Sequence, residues 1–587
     1  MSRNTPDAIT GLPQGNITYK TIKGHRYAYY QWNEGGRQRS RRVKDDELGS
    51  LSAGIAKRKE LMDQLKKERS AYGYKCLIRI GAELDAFTAP VALWKKRDLF
   101  QSLHAYVYGP ANDKVFILYG LRRTGKTTLI RQLIREMDGE MKEKTAFLQA
   151  RPGLFMADIN QDLRRLEEQG YRYVFVDEVT LLDDFVEGAA LFSDIFAASG
   201  MKIMLSGTDS LGFLFAQDEQ LFDRCITCHT TFIPYREFAR VLGMEGIDTY
   251  ISYGGTMSLG GKDYHTESPF SSSRTTEAYL DSAIARNIQH SLKQYQAQGH
   301  FRALQNLYEH DELTGAINRV VEDMNHAFTL EVLTREWKSG DLGLSARNLR
   351  GDREHPDDIL DRVDAERVTA TLKNLLEIKN ADERKEEITK DVRNQIKEYL
   401  RLLDLTVDIE TRWIGNPSKS RDVHTVFSQP GMRYSQVKSL VTALMEEPLF
   451  MDLPLERRRV VSDRILDGVR GRMMEDIVLL ETKTALPTKE VFKLQFAVGE
   501  FDMVVFDPAK GACQVFEIKH SAQMVPAQRR HLTDEEKLEE TERIYGQVTG
   551  RSVIYRGEPG EADGVTYVNV ESYLEALPVL PVGKTWE

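Results

Sequence analysis

The sequence predicts an α/β protein with a parallel sheet in its first half, a mainly helical middle and a second α/β unit at its carboxyl end. Three observations carry that expectation. Short apolar runs alternate with helical stretches from about Leu93 to Gly255. One of those runs stops at a glycine-containing turn that leads at once into an amphipathic helix. From about Leu455 a long helical pattern gives way again to strand-like runs.

At the amino end, residues 15–44 alternate aromatic or apolar residues (Ile17, Tyr19, Ile22, Tyr27, Tyr29, Trp32) with polar ones and break at Glu34, Gly35 and Gly36, the pattern of a small hairpin-based sheet. This stretch carries Lys20, Lys23, Arg26, Arg37, Arg39, Arg41, Arg42 and Lys44 against the single acid Glu34. Basic residues interleaved with aromatics suit a nucleic-acid strand, and a solvated charged face fits them equally well. From Asp45 to about Ala71 the pattern is a charged helix. The parallel sheet is expected to use Val115 to Tyr119, Thr145 to Gln149, Tyr173 to Val176 and Lys202 to Leu205 as strands.

After Gly255 a Gly-, Ser- and Thr-rich stretch reads as a linker, followed by helical periodicity over residues 276–412 that is broken by GDREHPDD at 351–358. Helices followed by the alternating run Leu402 to Trp413 suit a winged-helix module, and a helical spacer suits them too. A further break at residues 415–433 precedes a helix near Ser435 to Glu447. Strands are then expected at Val491 to Phe496, Phe501 to Phe506 and Cys513 to Ile518. The resulting division is 1–75, 76–255, 256–450 and 451–587, in line with the several domains that 587 residues imply.

No apolar stretch is long enough to span a bilayer and the first residues lack an apolar signal core, so a cytoplasmic protein without membrane attachment is expected. The four cysteines (Cys76, Cys225, Cys228, Cys513) are too few and too uneven for a disulfide framework. A formal net charge of −9 gives no bulk attraction to nucleic acid, so such binding needs local basic patches.

The turn after the first strand reads Gly120, Leu121, Arg122, Arg123, Thr124, Gly125, Lys126, Thr127, Thr128, which is a phosphate-binding loop. Its glycines let successive backbone N–H groups turn toward phosphate oxygens, and the helix start adds partial positive charge. Lys126 is expected to reach the outer phosphates and Thr127 to ligate Mg2+. Hydrolysis needs a second strand. In YRYVFVDE, Asp177 is placed to hold the magnesium shell and Glu178 to polarise an attacking water. The third strand ends in Ser206, Gly207, Thr208 and Asp209, where a small hydroxyl is positioned for the terminal phosphate or the water.

The order GLRRTGKTT, VFVDE, LSGTDS, an arginine in QLFDRC and then FIPYREF resembles the bacterial and archaeal AAA-type ATPases that carry a C-terminal nuclease-like domain of unknown function. The resemblance implies ATP as ligand with Mg2+. It also implies that Arg224 neutralises transition-state charge, from its own subunit or a neighbour in an oligomer.

In the tail, Glu475 falls on a helix, Asp502 in the strand GEFDMVVF, and Glu517 and Lys519 two apart on a later strand, hence on one face. This order resembles the core of restriction-endonuclease-like nucleases. It implies Mg2+ on Asp502 and Glu517, with Lys519 stabilising the attacking hydroxide. No proline precedes Asp502, and Glu500 is an extra acid, so a fold kept as a binding module fits as well. The run Arg457, Arg458, Arg459, Arg464, Arg470, Arg472 is a local candidate for facing DNA. Cys225-Ile226-Thr227-Cys228-His229 spells a haem-attachment signal, but no export signal or second cysteine pair accompanies it, and both thiols read as core or strand residues. The expectation is an ATPase whose cycle moves a nuclease-like module near nucleic acid. The alternative is a nucleotide-dependent switch that binds a protein partner.

Overall fold

A computed structural model describes residues 13, 15–22, 25–34, 37–44, 47–59, 73–110, 113–182, 184–230, 232–256, 301–310, 312–338, 388–415, 421–451 and 454–579. The linker expected after Gly255 and the break at 351–358 fall almost wholly outside them.

The amino-terminal stretch is a three-stranded antiparallel sheet of β1 (Asn16–Ile22), β2 (His25–Glu34) and β3 (Arg37–Arg42). Helix α1 (residues 47–59) follows. Ala28, Tyr30 and Val43 are buried against Leu48, Leu51 and Ile55 of α1, whose three- and four-residue spacing lines one helix face.

The next sheet has the order β4-β6-β7-β8-β5-β9. Its members are β4 (Leu77–Arg79), β5 (Val115–Gly120), β6 (Thr145–Gln149), β7 (Tyr173–Asp177), β8 (Lys202–Gly207) and β9 (Cys225–Thr230). All neighbours run parallel except β4, which is antiparallel to β6. The four expected strands form, each within two residues of its expected end. β5 is buried along its whole length, which explains its unbroken apolar run. β9 escapes the apolar-run criterion because it mixes Thr, Cys and His. Cys225 and Cys228 lie on it, half-buried and buried, and burial pushes their thiols up to about 11 and about 12. Helix α2 (Lys126–Glu136) packs Leu129, Ile130, Leu133 and Ile134 onto this sheet. Each such side chain contributes roughly 1.5–3 kcal/mol. Helix α3 (Ile247–Tyr253) ends the unit.

In the middle region α4 (Arg302–Glu309), α5 (Leu313–Lys338) and α6 (Lys390–Leu402) pack together. The run after α6 is not a wing. β10 (Thr406–Trp413) and β11 (Arg421–Phe427) form a hairpin that belongs to the carboxyl-terminal sheet, with β10 parallel to β12 (Glu490–Gln495). The strand β11 also occupies part of the stretch expected to be a break. Helix α7 (Pro430–Met445) and the 31-residue α8 (Leu455–Ala485) follow.

The remaining strands are β13 (Glu500–Asp507), β14 (Ala512–Lys519), β15 (Gln547–Tyr555), β16 (Gly560–Ala562) and β17 (Val565–Asn569). The sheet order is β11-β10-β12-β13-β14-β15-β17-β16, so it crosses the expected boundary at 450. Helix α9 (Val570–Ala576) closes the described chain. A single core joins both halves of the molecule. Phe232, Tyr235, Phe238 and Tyr250 pack with Met473, Met474, Ile477 and Val478 of α8.

Candidate functional site

The loop between β5 and α2 is built on left-handed backbone. Gly120 has φ 134°, Arg123 62° and Gly125 89°. A Cβ on Gly120 would lie 2.2 Å from the Thr230 carbonyl oxygen, so only glycine fits beside β9. Thr124 directs its hydroxyl to Leu121 O (2.8 Å) and shares a 2.9 Å bond with Thr230 Oγ1, which closes the loop base. Lys126 folds its ammonium back onto Gly120 O and Leu121 O, each at 2.8 Å. Burial pulls this lysine down to about 8, against the opposing pull of Glu178 and Asp177.

The strand order sets β8 between β5 and β7, and it is the side chains at their carboxyl ends that meet. Thr127 Oγ1 donates to Asp177 Oδ2 at 3.0 Å, and Ser206 donates to the other Asp177 oxygen. Burial, reinforced by Glu178, pushes Asp177 up to about 6. Glu178 sits at φ 55°, a left-handed position that turns it out of the strand, and Thr208 Oγ1 donates to its Oε2 at 3.3 Å. Asp177 and Glu178 therefore lie on the Lys126 side of the sheet. Ser206, expected to face a phosphate or water, is engaged by Asp177. Thr128 follows in the first turn of α2, and Arg122 stands in the loop before it.

Arg224 requires a correction. Its carbonyl accepts from Val115 N at the amino end of β5, the opposite end from the loop, and its guanidinium lies 2.8 Å from both Asp194 oxygens. It cannot reach the phosphate site of its own chain. A different arginine, which no motif signalled, supports the loop. Buried Arg97 donates to Thr124 O (2.7 Å), Phe232 O (3.3 Å) and the Glu237 carboxylate, tying the loop to the FIPYREF segment.

A second polar cluster lies in the carboxyl-terminal sheet. Lys519 Nζ stands 2.7 Å from Asp502 Oδ2 and 2.6 Å from Glu517 Oε2, and Ile518 N donates to Asp502 at 2.8 Å. Burial opposes ionisation of Asp502, but Lys519 and Lys493 hold it well below the usual carboxylate range. Burial and the Asp502 charge push Glu517 well above it. Glu475 adjoins through Lys493 (3.4 Å) and is paired with Arg472. Lys493, almost fully buried on β12, escaped the sequence reading because an isolated lysine in a strand carries no motif. Glu517 Oε1 is buried and has no hydrogen-bond partner among the described residues. Asp502 and Glu517 thus offer two carboxyl groups, one with an unsatisfied oxygen, and no cluster of three acidic, histidine or cysteine ligands occurs among the described residues. In the basic run, Arg470 bonds Tyr434 Oη (2.9 Å) and Arg472 is buried in ion pairs, so neither is free to face DNA.

Comparison with known proteins bears on the domain that holds the first site. A model of an AAA domain matches residues 112–239, and a model of a domain of unknown function, DUF6788, matches residues 3–53. No curated protein matches the chain. Solved structures with similarity include Saccharomyces cerevisiae Hsp104 with casein in an extended conformation (12% identity, 45% of this chain and 50% of that chain, TM-score 0.23). The Aeropyrum pernix ORC1 protein in complex with DNA matches at 12% identity, 63% and 94% coverage and TM-score 0.21. Caenorhabditis elegans PCH-2 matches at 16% identity, 36% and 60% coverage and TM-score 0.19. The chain thus spans half the length of the Hsp104 chain. The sheet, loop and matched model make residues 112–239 an AAA-type P-loop domain, a nucleotide-binding fold. No helix among the described residues is long and apolar enough to cross a membrane.

Proposed function

We propose that the chain is an ATPase that hydrolyses ATP with Mg2+ and passes the state of its nucleotide site to a nuclease-like module acting on nucleic acid. The observation that carries this reading is the meeting of Lys126, Thr127, Asp177 and Glu178 at one end of the parallel sheet. Thr127 and Asp177, 3.0 Å apart, are the residues that would hold Mg2+, which when bound neutralises phosphate charge. Lys126 leaves the two carbonyls that now occupy it and engages the outer phosphates. Glu178 accepts a proton from the attacking water once its bond from Thr208 opens, and Ser206 keeps Asp177 oriented.

Packing supports transmission between the sites. Leu121 of the loop is buried with Leu313, Ile317, Tyr399, Phe427 and Met432. Phe427 ends β11, in the carboxyl-terminal sheet. Next to Met432, the guanidinium of Arg433 lies 4.4 Å and 4.6 Å from the centres of the Phe328 and Phe427 rings and 2.8 Å from Asp476, the neighbour of Glu475. Movement of the loop is thereby felt at α8. At that end Asp502 and Glu517 would hold a divalent cation and Lys519 would stabilise the hydroxide.

Steady-state ATP turnover is the test. Lys126→Ala and Glu178→Gln should each lower kcat by about a hundredfold or more, and unchanged turnover ends the ATPase reading. Cleavage of DNA or RNA with Mg2+ or Mn2+ should disappear in Asp502→Ala. The second reading is a nucleotide-dependent switch or scaffold with an inactive nuclease-like domain. One observation favours it: Lys519 already bridges the two carboxyl groups, within 2.7 Å of each. Single-turnover decay with retained ADP supports the switch, and steady turnover stimulated by nucleic acid supports the enzyme.

A further inference from the structure

The amino-terminal sheet takes no part in either site. Its inner face is filled by α1, and strand register defines the outer one. Tyr29 stands opposite Thr18 of β1 and Arg42 of β3, and Gln31 stands opposite Ser40. Tyr27, two residues before Tyr29, shares that face, and the Arg42 guanidinium lies 3.9 Å from its ring centre. Ser40 and Arg42 are exposed, and Tyr27, Tyr29 and Gln31 are half-buried. The face therefore combines two phenol rings, a guanidinium plane held by one of them, and short polar side chains. Around it, residues 15–44 contain eight lysines and arginines and one acid, in a chain whose net charge is −9.

Three classes of polyanion could meet such a charge. A membrane surface needs apolar side chains to enter the interface, and this face offers Gln31 and Ser40 instead. An acidic peptide needs the cations but has no use for the rings. A nucleic-acid strand with unpaired bases uses both: phosphates on the cations, and bases on tyrosine and guanidinium planes.

We propose that this outer face binds single-stranded nucleic acid, delivering a strand to the molecule independently of the nucleotide site. The proposal deepens the nucleic-acid part of the reading above and rests on it only for the class of partner.

Fluorescence anisotropy of the full chain with a labelled oligo-dT strand, a duplex of equal length and a polyglutamate peptide tests it. The single strand should bind more tightly than the other two. The double variant Tyr27→Ala/Tyr29→Ala should weaken it by about tenfold or more. Tyr29→Phe, which keeps the ring, should bind like the wild type. Arg42→Ala should flatten the slope of log Kd against log salt by roughly 0.7. Arg42→Glu, at an exposed position, should weaken binding further. Lys126→Ala should still bind the strand, so failure of the ATPase reading and failure of this one are told apart. Undetectable binding at low salt, tighter binding of the duplex or the peptide, or wild-type affinity in both the tyrosine and the Arg42→Glu variants would overturn the proposal.

Discussion

Arg97 shows how a single side chain can hold a nucleotide loop without touching nucleotide. Its carboxylate partner, Glu237, is equally buried, and also accepts from Asp98 N at 2.7 Å. Removing the arginine leaves a charge stranded away from water. Arg97→Ala should therefore cost about 3–5 kcal/mol in denaturant unfolding. Lysine should rescue little of this, because one ammonium cannot reach the loop carbonyl, Phe232 O and Glu237 in three directions. Gly120→Ala combines a φ of 134° with a near collision against Thr230, so it should lower both thermal stability and nucleotide affinity. These two residues differ in how far the sequence discloses them. Gly120 sits in a spaced motif, whereas the partners of Arg97 lie 27 and 140 residues away, a separation that leaves no local pattern. The same applies to the distance of Arg224 from the phosphate site of its own chain. Its place after the third strand fits an arginine finger, but only the register of β9 on β5 reveals that it stands at the far end of the sheet.

At the level of elements, legibility followed burial. β5, β6, β7 and β8 are short apolar runs because the sheet is covered on both faces, and their limits could be read directly. β11 reads Arg-Asp-Val-His-Thr-Val-Phe, an edge strand half open to solvent, and its composition resembles a loop. Pairing of β10 with β12 joins segments some eighty residues apart, so periodicity supported a wing and a sheet edge equally. The carboxylate cluster was legible because Glu517 and Lys519 alternate on one strand, while Lys493 was not. Leu121 is the element-scale test of transmission. Leu121→Ala should open a cavity in the helical cluster at a cost of about 2–5 kcal/mol. It should also reduce any effect of ATP on cleavage while leaving the loop's polar contacts in place. A variant with wild-type stimulation would show that the path runs elsewhere.

On the scale of the molecule, the two α/β units share titratable contacts. Buried Glu481 of α8 accepts from Tyr235 N at 2.7 Å, and burial pushes it up to about 8 from its usual 4.5. The folded state therefore holds a proton that the unfolded chain has released between about pH 4.5 and 8. This contribution to stability is complete at the low end and disappears as pH rises through the window. Thermal melts at pH 5.5 and 8 should show a larger loss for the wild type than for Glu481→Gln, and parallel losses would remove Glu481 from the account. A second contact runs from Asp248 of α3 to His520 (2.7 Å) and Arg556 (2.9 Å), beside Lys519.

The hairpin of β10 and β11 has a practical corollary. A polypeptide beginning at Met451 would keep the carboxylate cluster but surrender two of the eight strands. Arg412 would leave the Phe492 ring, 4.0 Å from it, and its ion pair with Glu490. The flank of β12 would then offer naked amides to any passing chain. Attempts to isolate the tail by cutting there should yield self-associating material, whereas a cut upstream of Thr406 preserves the covered flank.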